Sequence, residues 1–311
     1  MSITKAGMGK RSLLFFILFA SIAQLHAQTD ADAIMMAKNN FCIGPVYSYS
    51  SWKNYWEGTL KRNNLNLGTV SSSMIGAMGT YGVSSKLNVI FNIPYVKTNS
   101  TAGTLHSQKG IQDLSLWLKF MPMEKELGSG TLSLYGIGGF SFPVSSYVVD
   151  YLPLSIGMRS TNLTLRALAD YQVANFFATI AASYVVRSDI KIDRDAYYTT
   201  ELHSTNKVAM PNAAQYNLRI GYRTERLIAE ALLCKWTTLG GFDITRNNMP
   251  FPSNKMNMTT AGVNIKYNVK AIDGLSLIGG GSYTLAGRNV GQSTAVDVGI
   301  FYILALKGHK K

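Results

Sequence analysis

The chain has 311 residues, of which 47% are hydrophobic and only 15% are charged, so it is too apolar to be disordered. Its formal net charge of +13 raises nucleic acid as a partner, but the basic residues are spread singly and do not form a patch, which argues against that partner. Cys42 and Cys234 fall on strands that are not expected to be neighbours, so we expect two free thiols and no disulfide.

The N-terminus has the parts of a secretory signal. The basic pair Lys10 and Arg11 precedes an apolar run that ends at Ala23, and Ala27 is a small residue before a plausible cleavage point. A retained membrane anchor is the alternative, but the run is shorter than the roughly 20 residues that a spanning helix needs. We therefore predict that residues 1–27 are a removed signal and that the mature chain is exported.

We predict that the rest of the chain forms one domain. Residues 28–40 are expected to be a short periplasmic segment, too short to plug a barrel, and residues 307–311 a C-terminal tail. Between them, residues 41–306 alternate apolar and polar side chains with the period of β-strands. We predict strands at about 40–50, 70–81, 86–95, 113–120, 132–142, 162–172, 176–186, 215–223, 227–237, 261–269, 275–283 and 296–304.

The fourth strand shows the pattern clearly. Leu114, Leu116, Leu118 and Phe120 lie in one phase, and the other phase carries Asp113, Ser115, Trp117 and Lys119. Its turn is expected at residues 123–130. The connections along the chain alternate long and short, as external loops and periplasmic turns do in outer-membrane barrels. The predicted fold class is therefore all-β, a single-chain transmembrane antiparallel β-barrel of about twelve strands, in the bacterial outer membrane.

The orientation of the two phases is the central expectation. The soluble alternative, a lipocalin-like barrel, needs a polar outside, whereas a membrane barrel turns Val263 and Ile265 to lipid and Asn264 and Lys266 inward. Aromatic residues at the strand ends predict two interfacial girdles. The outer one would contain Tyr95, Phe142, Trp236 and Tyr283, and the inner one Tyr81, Phe120, Tyr171, Tyr222, Tyr267 and Tyr302.

The polar phase defines the candidate lumen and solute path. Its predicted residues are Lys86, Asp113, Trp117, Lys119, Arg166, Asp170, Arg187, Arg219, Arg223, Glu230, Lys266 and Asp297. One interpretation is that these charges pair and hold the wall together, because unpaired buried charge is costly. The other is that some of them line a path for solutes. Twelve strands leave more room than eight and less than sixteen, enough for a narrow channel.

A short set of residues carries a family resemblance. Ile93-Pro94-Tyr95, a polar loop, Gly110, Asp113 and Lys119, followed by the run Leu154-Ser-Ile-Gly157, resembles the outer-membrane barrel family labelled for the meta pathway of phenol degradation, whose members are often called transporters. The resemblance implies a barrel of twelve-strand type that passes hydrophobic or aromatic compounds. It places Gly110, Asp113 and Lys119 at the matching positions. The chain departs from many outer-membrane barrels because it continues past Tyr302 and does not end on an aromatic residue.

Other functions have weaker support in the sequence. A barrel hydrolase would need a histidine beside a serine on a strand, but His106 and His203 fall in loops. We therefore do not expect the protein to be an enzyme. Asp189, Asp193 and Asp195 lack the glycine and distal glutamate of a calcium loop, so no metal and no cofactor is expected. The expected partners are outer-membrane lipid, small-molecule solutes and the barrel assembly machinery. The predicted function is passive passage of small hydrophobic or amphipathic solutes, with adhesion or partner binding through the external loops as the alternative.

Overall fold

The computed structural model describes residues 29–246 and 248–306. The predicted signal, residues 1–27, and the predicted tail, residues 307–311, lie outside the described residues. Within the described ranges, no helix is both long and apolar enough to cross a membrane.

Twelve long antiparallel strands form a closed barrel in the described part of the chain. We number them β1 to β12. They are Asn40–Trp52, Val70–Ser84, Leu87–Ser100, Asp113–Leu127, Gly130–Pro143, Asn162–Val173, Phe176–Arg187, Ala213–Arg223, Leu227–Thr238, Asn257–Asn268, Leu275–Arg288 and Thr294–Ala305. Each strand pairs with its neighbours in sequence, and β1 also pairs with β12, with Asn40 opposite Ala305, which closes the cylinder.

The alternation of the sequence sets which face each side chain takes. On β10, Val263 and Ile265 are 57% and 53% exposed, whereas Lys266, which faces the lumen, is 8% exposed. The same phase continues around the barrel, so the exposed surface is an apolar band with tyrosines at both rims. An exposed aliphatic surface of this extent is stable in lipid and not in water. The predicted orientation of the two phases is confirmed.

Two predicted details were wrong. Strand β4 continues to Leu127 because a bulge between Phe120 and Met123 lets pairing with β5 resume, so the turn is only residues 128–129. Trp236 was expected on the outer girdle, but on β9 it lies in the same phase as Glu230, whose carboxylate binds the lumen residue Arg219. Trp236 therefore faces inward, because side chains two apart on a strand share a face.

The long external connections carry additional structure. They contain a 3-10 helix, Val149–Tyr151, and seven short strands. These strands are Asn54–Glu57, Leu60–Asn63, Lys109–Ile111, Ile190–Lys191, Tyr197–Tyr198, Leu202–His203 and Lys207–Val208. All but Lys109–Ile111, which extends the pairing with β3, form hairpin-like pairs outside the barrel wall. The opposite end of the barrel has shorter connections, so the two ends of the molecule are built differently.

Candidate functional site

The described N-terminal residues 29–39, here called the strap, lie inside the barrel. Lys119 on β4 is fully buried, and its ammonium nitrogen is 2.8 Å from Asp32 Oδ1, 2.8 Å from the carbonyl of Ile34 and 3.2 Å from that of Thr29. Three charge-assisted hydrogen bonds use the full donor capacity of a lysine. Lys119 therefore fixes the strap to the lumen wall.

A second cation holds the strap further along. The Arg166 guanidinium donates to Asp30 Oδ2 at 2.8 Å and to its carbonyl at 2.7 Å, and also to Ser183 on β7 at 2.7 Å. Tyr135 donates to the carbonyl of Ala33 at 3.0 Å. The expectation that this segment was too short to plug the barrel is wrong for its described residues. An extended chain covers about 3.3 Å per residue, so even a short segment spans most of a lumen.

Two further ion pairs connect the strands of the wall. Asp170 on β6 accepts from Arg223 on β8 at 2.9 Å and also from Thr179. Arg219 on β8 donates to Glu230 on β9 at 2.6 Å. The same glutamate accepts from Asn264 at 3.1 Å. These predicted lumen residues are thus paired across neighbouring or next-nearest strands, the arrangement in which buried charge is compensated.

The remaining inward residues surround a small cavity. Lys266 and Asp297, with Arg219 and Glu230, line a space of about 140 Å³ beside the strap. Trp117 packs against the Arg166 guanidinium, whose carbon lies 5.3 Å from the ring centre. The structure therefore brings together nine of the twelve residues predicted for the lumen and solute path: Trp117, Lys119, Arg166, Asp170, Arg219, Arg223, Glu230, Lys266 and Asp297.

Three predicted residues lie elsewhere. Arg187 ends β7 at the outer end, where its guanidinium donates to the carbonyl of Pro211 at 3.3 Å. Lys86 is exposed in the turn between β2 and β3, so its assignment to the lumen was wrong. The strand ends before it, and its side chain is not part of the inward phase. Asp113 begins β4 at the outer end and accepts a 2.7 Å hydrogen bond from Tyr147 in the loop at residues 144–161. Burial, and then this bond, raise the pKa of Tyr147 above its usual value. Asp113 anchors a loop and is not in mid-lumen.

The periplasmic end of the lumen is open space beneath the strap. A cavity of about 680 Å³ is bounded by Ala33 and Met35 of the strap and by inward residues of the wall. Its polar lining includes Glu124, Ser133 and Gln172. The lumen therefore accommodates a segment of its own chain and still retains a cavity of solute size.

The outer end is occupied by external loops. Ile190, Val208 and Met210 from the loop at residues 188–212 pack with Tyr147 and with Val96, which faces inward from β3. Val208 is completely buried, although the sequence places it in a polar loop. Because strand and loop residues share one apolar cluster, the loops are folded into the mouth of the barrel.

One asparagine joins three outer segments into a rim. Asn289, which is 3% exposed, accepts from the backbone nitrogens of Gly58 at 2.7 Å and Ile244 at 3.1 Å. Its amide nitrogen donates to Asp243 Oδ1 and to the carbonyl of Lys255, both at 2.7 Å. All hydrogen-bonding atoms of the amide are used, so the rim has a defined geometry.

Two cavities lie in this outer region, which we call the vestibule. One of about 520 Å³ includes the charged residues Asp150, Asp193 and Arg194. The other, of about 380 Å³, is bounded by Trp52 and Tyr55 among others. They share Leu105, Ile244, Asn248, Met249 and Pro250. Sequence reasoning missed the vestibule and the strap, because neither has a periodic pattern; only the aromatic content of the loop at residues 53–69 was a visible signal.

Comparisons with known proteins agree on the fold. No protein-family model matches the chain, and no curated protein matches it. The crystal structure of the COG4313 outer membrane channel from Pseudomonas putida F1 is similar, with a TM-score of 0.69 and 14% sequence identity, covering 90% of this chain and 100% of that one. The chain thus has the fold and the lipid-facing surface of a bacterial outer-membrane β-barrel. The narrower resemblance to the phenol-pathway family stays a prediction.

Two other solved structures are more distant. The translocator domain of the autotransporter NalP from Neisseria meningitidis has a TM-score of 0.47 and 13% identity, covering 86% of this chain and 90% of that one. The KdgM porin has a TM-score of 0.41 and 7% identity, covering 83% of this chain and 98% of that one. At these scores the barrels are related in outline only, and nothing about this chain is argued from them.

Proposed function

We propose that the protein is a passive outer-membrane channel for small hydrophobic or amphipathic solutes. The observation that carries this proposal is that the lumen contains a segment of the chain's own backbone, held by Lys119 and Arg166, together with a cavity of about 680 Å³. A lumen that admits a polypeptide segment is wide enough for a small solute once the segment moves. The similar solved structure described as an outer membrane channel supports the same function.

Both kinds of lining found along the axis suit an amphipathic solute. The vestibule offers aromatic and aliphatic side chains such as Trp52 and Ile244, whereas the mid-lumen offers paired charges such as Arg219 and Glu230. A solute with an apolar body and a polar group can contact each in turn. In this proposal the other partners are outer-membrane lipid around the apolar band and the assembly machinery that inserts the barrel. No catalytic step is part of it.

Permeation can be measured with two adjacent residues as matched positions. Ser133 on β5 is buried and lines the inner cavity, whereas Leu134 next to it has the lipid-facing phase. In proteoliposome swelling, we expect the unmodified protein to admit methyl and phenyl glucosides, with the bulkier phenyl compound at least as fast. Ser133→Trp should reduce both rates several-fold because it fills part of the cavity. Leu134→Trp should leave them unchanged.

A result against the proposal is equally clear. Swelling no faster than in empty liposomes, with Ser133→Trp and Leu134→Trp indistinguishable, would show a sealed barrel. The alternative of adhesion or partner binding would then gain support from the exposed apolar residues of the outer loops, where Leu65 is 80% and Leu202 is 69% exposed.

A further inference from the structure

The smaller vestibule cavity has the lining of a binding site for a neutral molecule. Its volume is about 380 Å³, within the usual range of small-molecule pockets. Trp52, Tyr55, Leu67, Pro153 and Met249 supply aromatic and aliphatic surface. No Asp, Glu, Lys, Arg or His is among the described residues that line it. A charged ligand would lose its hydration there without compensation, so the lining favours an uncharged one.

One side chain in this lining has an unused hydrogen-bond donor. Asn64 is 7% exposed, and its Oδ1 accepts a 3.2 Å bond from the backbone nitrogen of Leu67. That bond fixes which way the amide is turned, because only the oxygen can accept from an N–H group. The Nδ2 atom is shielded from water and has no hydrogen-bond partner among the described residues. Buried donors of this kind are uncommon, and one in the lining of a cavity is a position where a bound molecule can supply the missing acceptor.

The backbone around Asn64 is held in place before any ligand arrives. The Asn64 nitrogen donates to the carbonyl of Lys53 at 2.8 Å, and the Ala102 nitrogen donates to the carbonyl of Leu67 at 3.1 Å. Gly103 has a φ of +82°, and a Cβ there would lie 2.8 Å from both the Asn66 carbonyl oxygen and Leu67 Cδ2. The loop that contains Asn64 and the loop that contains Gly103 thus approach so closely that a side chain at position 103 would clash. Together they form a preorganised wall of the cavity.

We propose that this cavity binds a small, neutral, mainly apolar molecule that carries one acceptor oxygen, such as an aromatic ketone, with Asn64 Nδ2 as the hydrogen-bond donor. The ring lies against Trp52 and Tyr55, and the oxygen reaches the donor after a small rotation of the Asn64 amide toward the cavity. Selection follows from the donor: a hydrocarbon of the same shape leaves it unpaired, whereas the ketone satisfies it.

The neighbouring cavity provides an internal contrast. It carries Asp150, Asp193 and Arg194, and the ion pair between Arg194 and Asp150 has an N to O distance of 2.7 Å. It is therefore polar and charged where the Asn64 cavity is neutral. The two share Leu105 and Met249 and are therefore adjacent.

As a capture step for solutes the site depends on the proposed channel function, but its occupancy does not. Binding is therefore measured separately from permeation. The protein in lipid nanodiscs is titrated with 4-fluoroacetophenone and, in parallel, with 1-fluoro-4-isopropylbenzene, which has a similar shape and no acceptor. Fluorine NMR line widths report binding, and protein-free nanodiscs correct for partition into lipid.

Two substitutions test the donor. Asn64→Leu and Asn64→Asp both remove it, and the aspartate keeps the acceptor that Leu67 requires. Each should raise the Kd of the ketone about 3- to 10-fold, the value of one hydrogen bond, and leave the hydrocarbon within about twofold. Asn63→Leu is the matched control, because Asn63 is exposed on the adjacent short strand and does not line the cavity, and it should change neither Kd. Met249→Trp fills the cavity and should weaken both probes.

The outcomes are distinguishable. Equal Kd values for the ketone in the unmodified protein and in both Asn64 variants would overturn the site, whatever the permeation data show. Ketone binding that responds to Asn64 but not to Met249→Trp would place the probe outside this cavity and would also overturn it. If the unmodified protein binds the ketone as expected but gives no swelling above that of empty liposomes, the result would count against the channel function alone.

Discussion

The outer end and the middle of the lumen are occupied in different ways. At the outer end, loop residues such as Ile190 and Val208 pack as an apolar cluster on the inward face of the wall. At mid-lumen, the strap is held by Asp30 and Asp32, which bind Arg166 and Lys119. Apolar packing is non-directional and is lost gradually, whereas a buried ion pair fails when one partner is removed. The strap is therefore the element that single charge changes can release.

The largest expected effect follows from removing the buried lysine. Lys119→Met leaves Asp32 without its cation, and breaking a buried pair in this way costs roughly 3–5 kcal/mol. We expect the strap to leave the wall, with fast amide hydrogen exchange over residues 29–39 and a several-fold rise in single-channel conductance. Lys125→Met, on the exposed part of the same strand, is the control. Unchanged exchange in the Lys119 variant would show that the strap is held by other contacts.

A smaller effect is expected at the outer end. Ile190 is 3% exposed, and Ile190→Ala removes buried contacts worth about 2–5 kcal/mol. Part of this loss is recovered because the loop can collapse onto the gap. Amide exchange should accelerate over residues 188–212 and stay unchanged over the strap, whereas Lys119→Met should do the reverse. Ile272→Ala, at an exposed position in a periplasmic turn, should affect neither. Coupled changes in both regions would mean that they form one unit.

The smallest effect is expected from the ionisation of Asp243 at the rim. The hydrogen bond from Arg288 holds the pKa of Asp243 below its ordinary value, although partial burial acts in the opposite direction. The contribution of this group to rim stability is therefore fully present above the ordinary aspartate pKa and is lost as pH falls through the lowered one. Ketone binding to the vestibule should stay constant from about pH 8 to pH 5. Asp243→Asn should weaken it slightly throughout this range, and a titration between pH 5 and 8 would contradict the assignment.

The barrel itself was predictable because apolar and polar side chains alternate along each strand. Alternation at residues such as Val263 and Lys266 predicted the strand phases, and Glu230, a predicted lumen residue, binds Arg219 inside the barrel. The strap was not predictable, because Asp30 and Asp32 acquire their partners from strands more than 80 residues away in sequence. The same applies to Asn64 and Asn289, whose roles depend on where loops meet in space. Local pattern carries no information on such contacts.

The seam between the first and last strands has a consequence for biogenesis. At the root of the strap, the Asn39 nitrogen donates to the carbonyl of Gly82, and the Leu306 nitrogen donates to the carbonyl of Asn39. The segments that precede β1 and follow β12 thus meet at Asn39, and this junction exists only after the final strand has been added. An unfinished sheet during insertion would leave the strap without its last anchor. The hydrogen bond between Leu306 and Asn39 therefore forms only when the cylinder is complete.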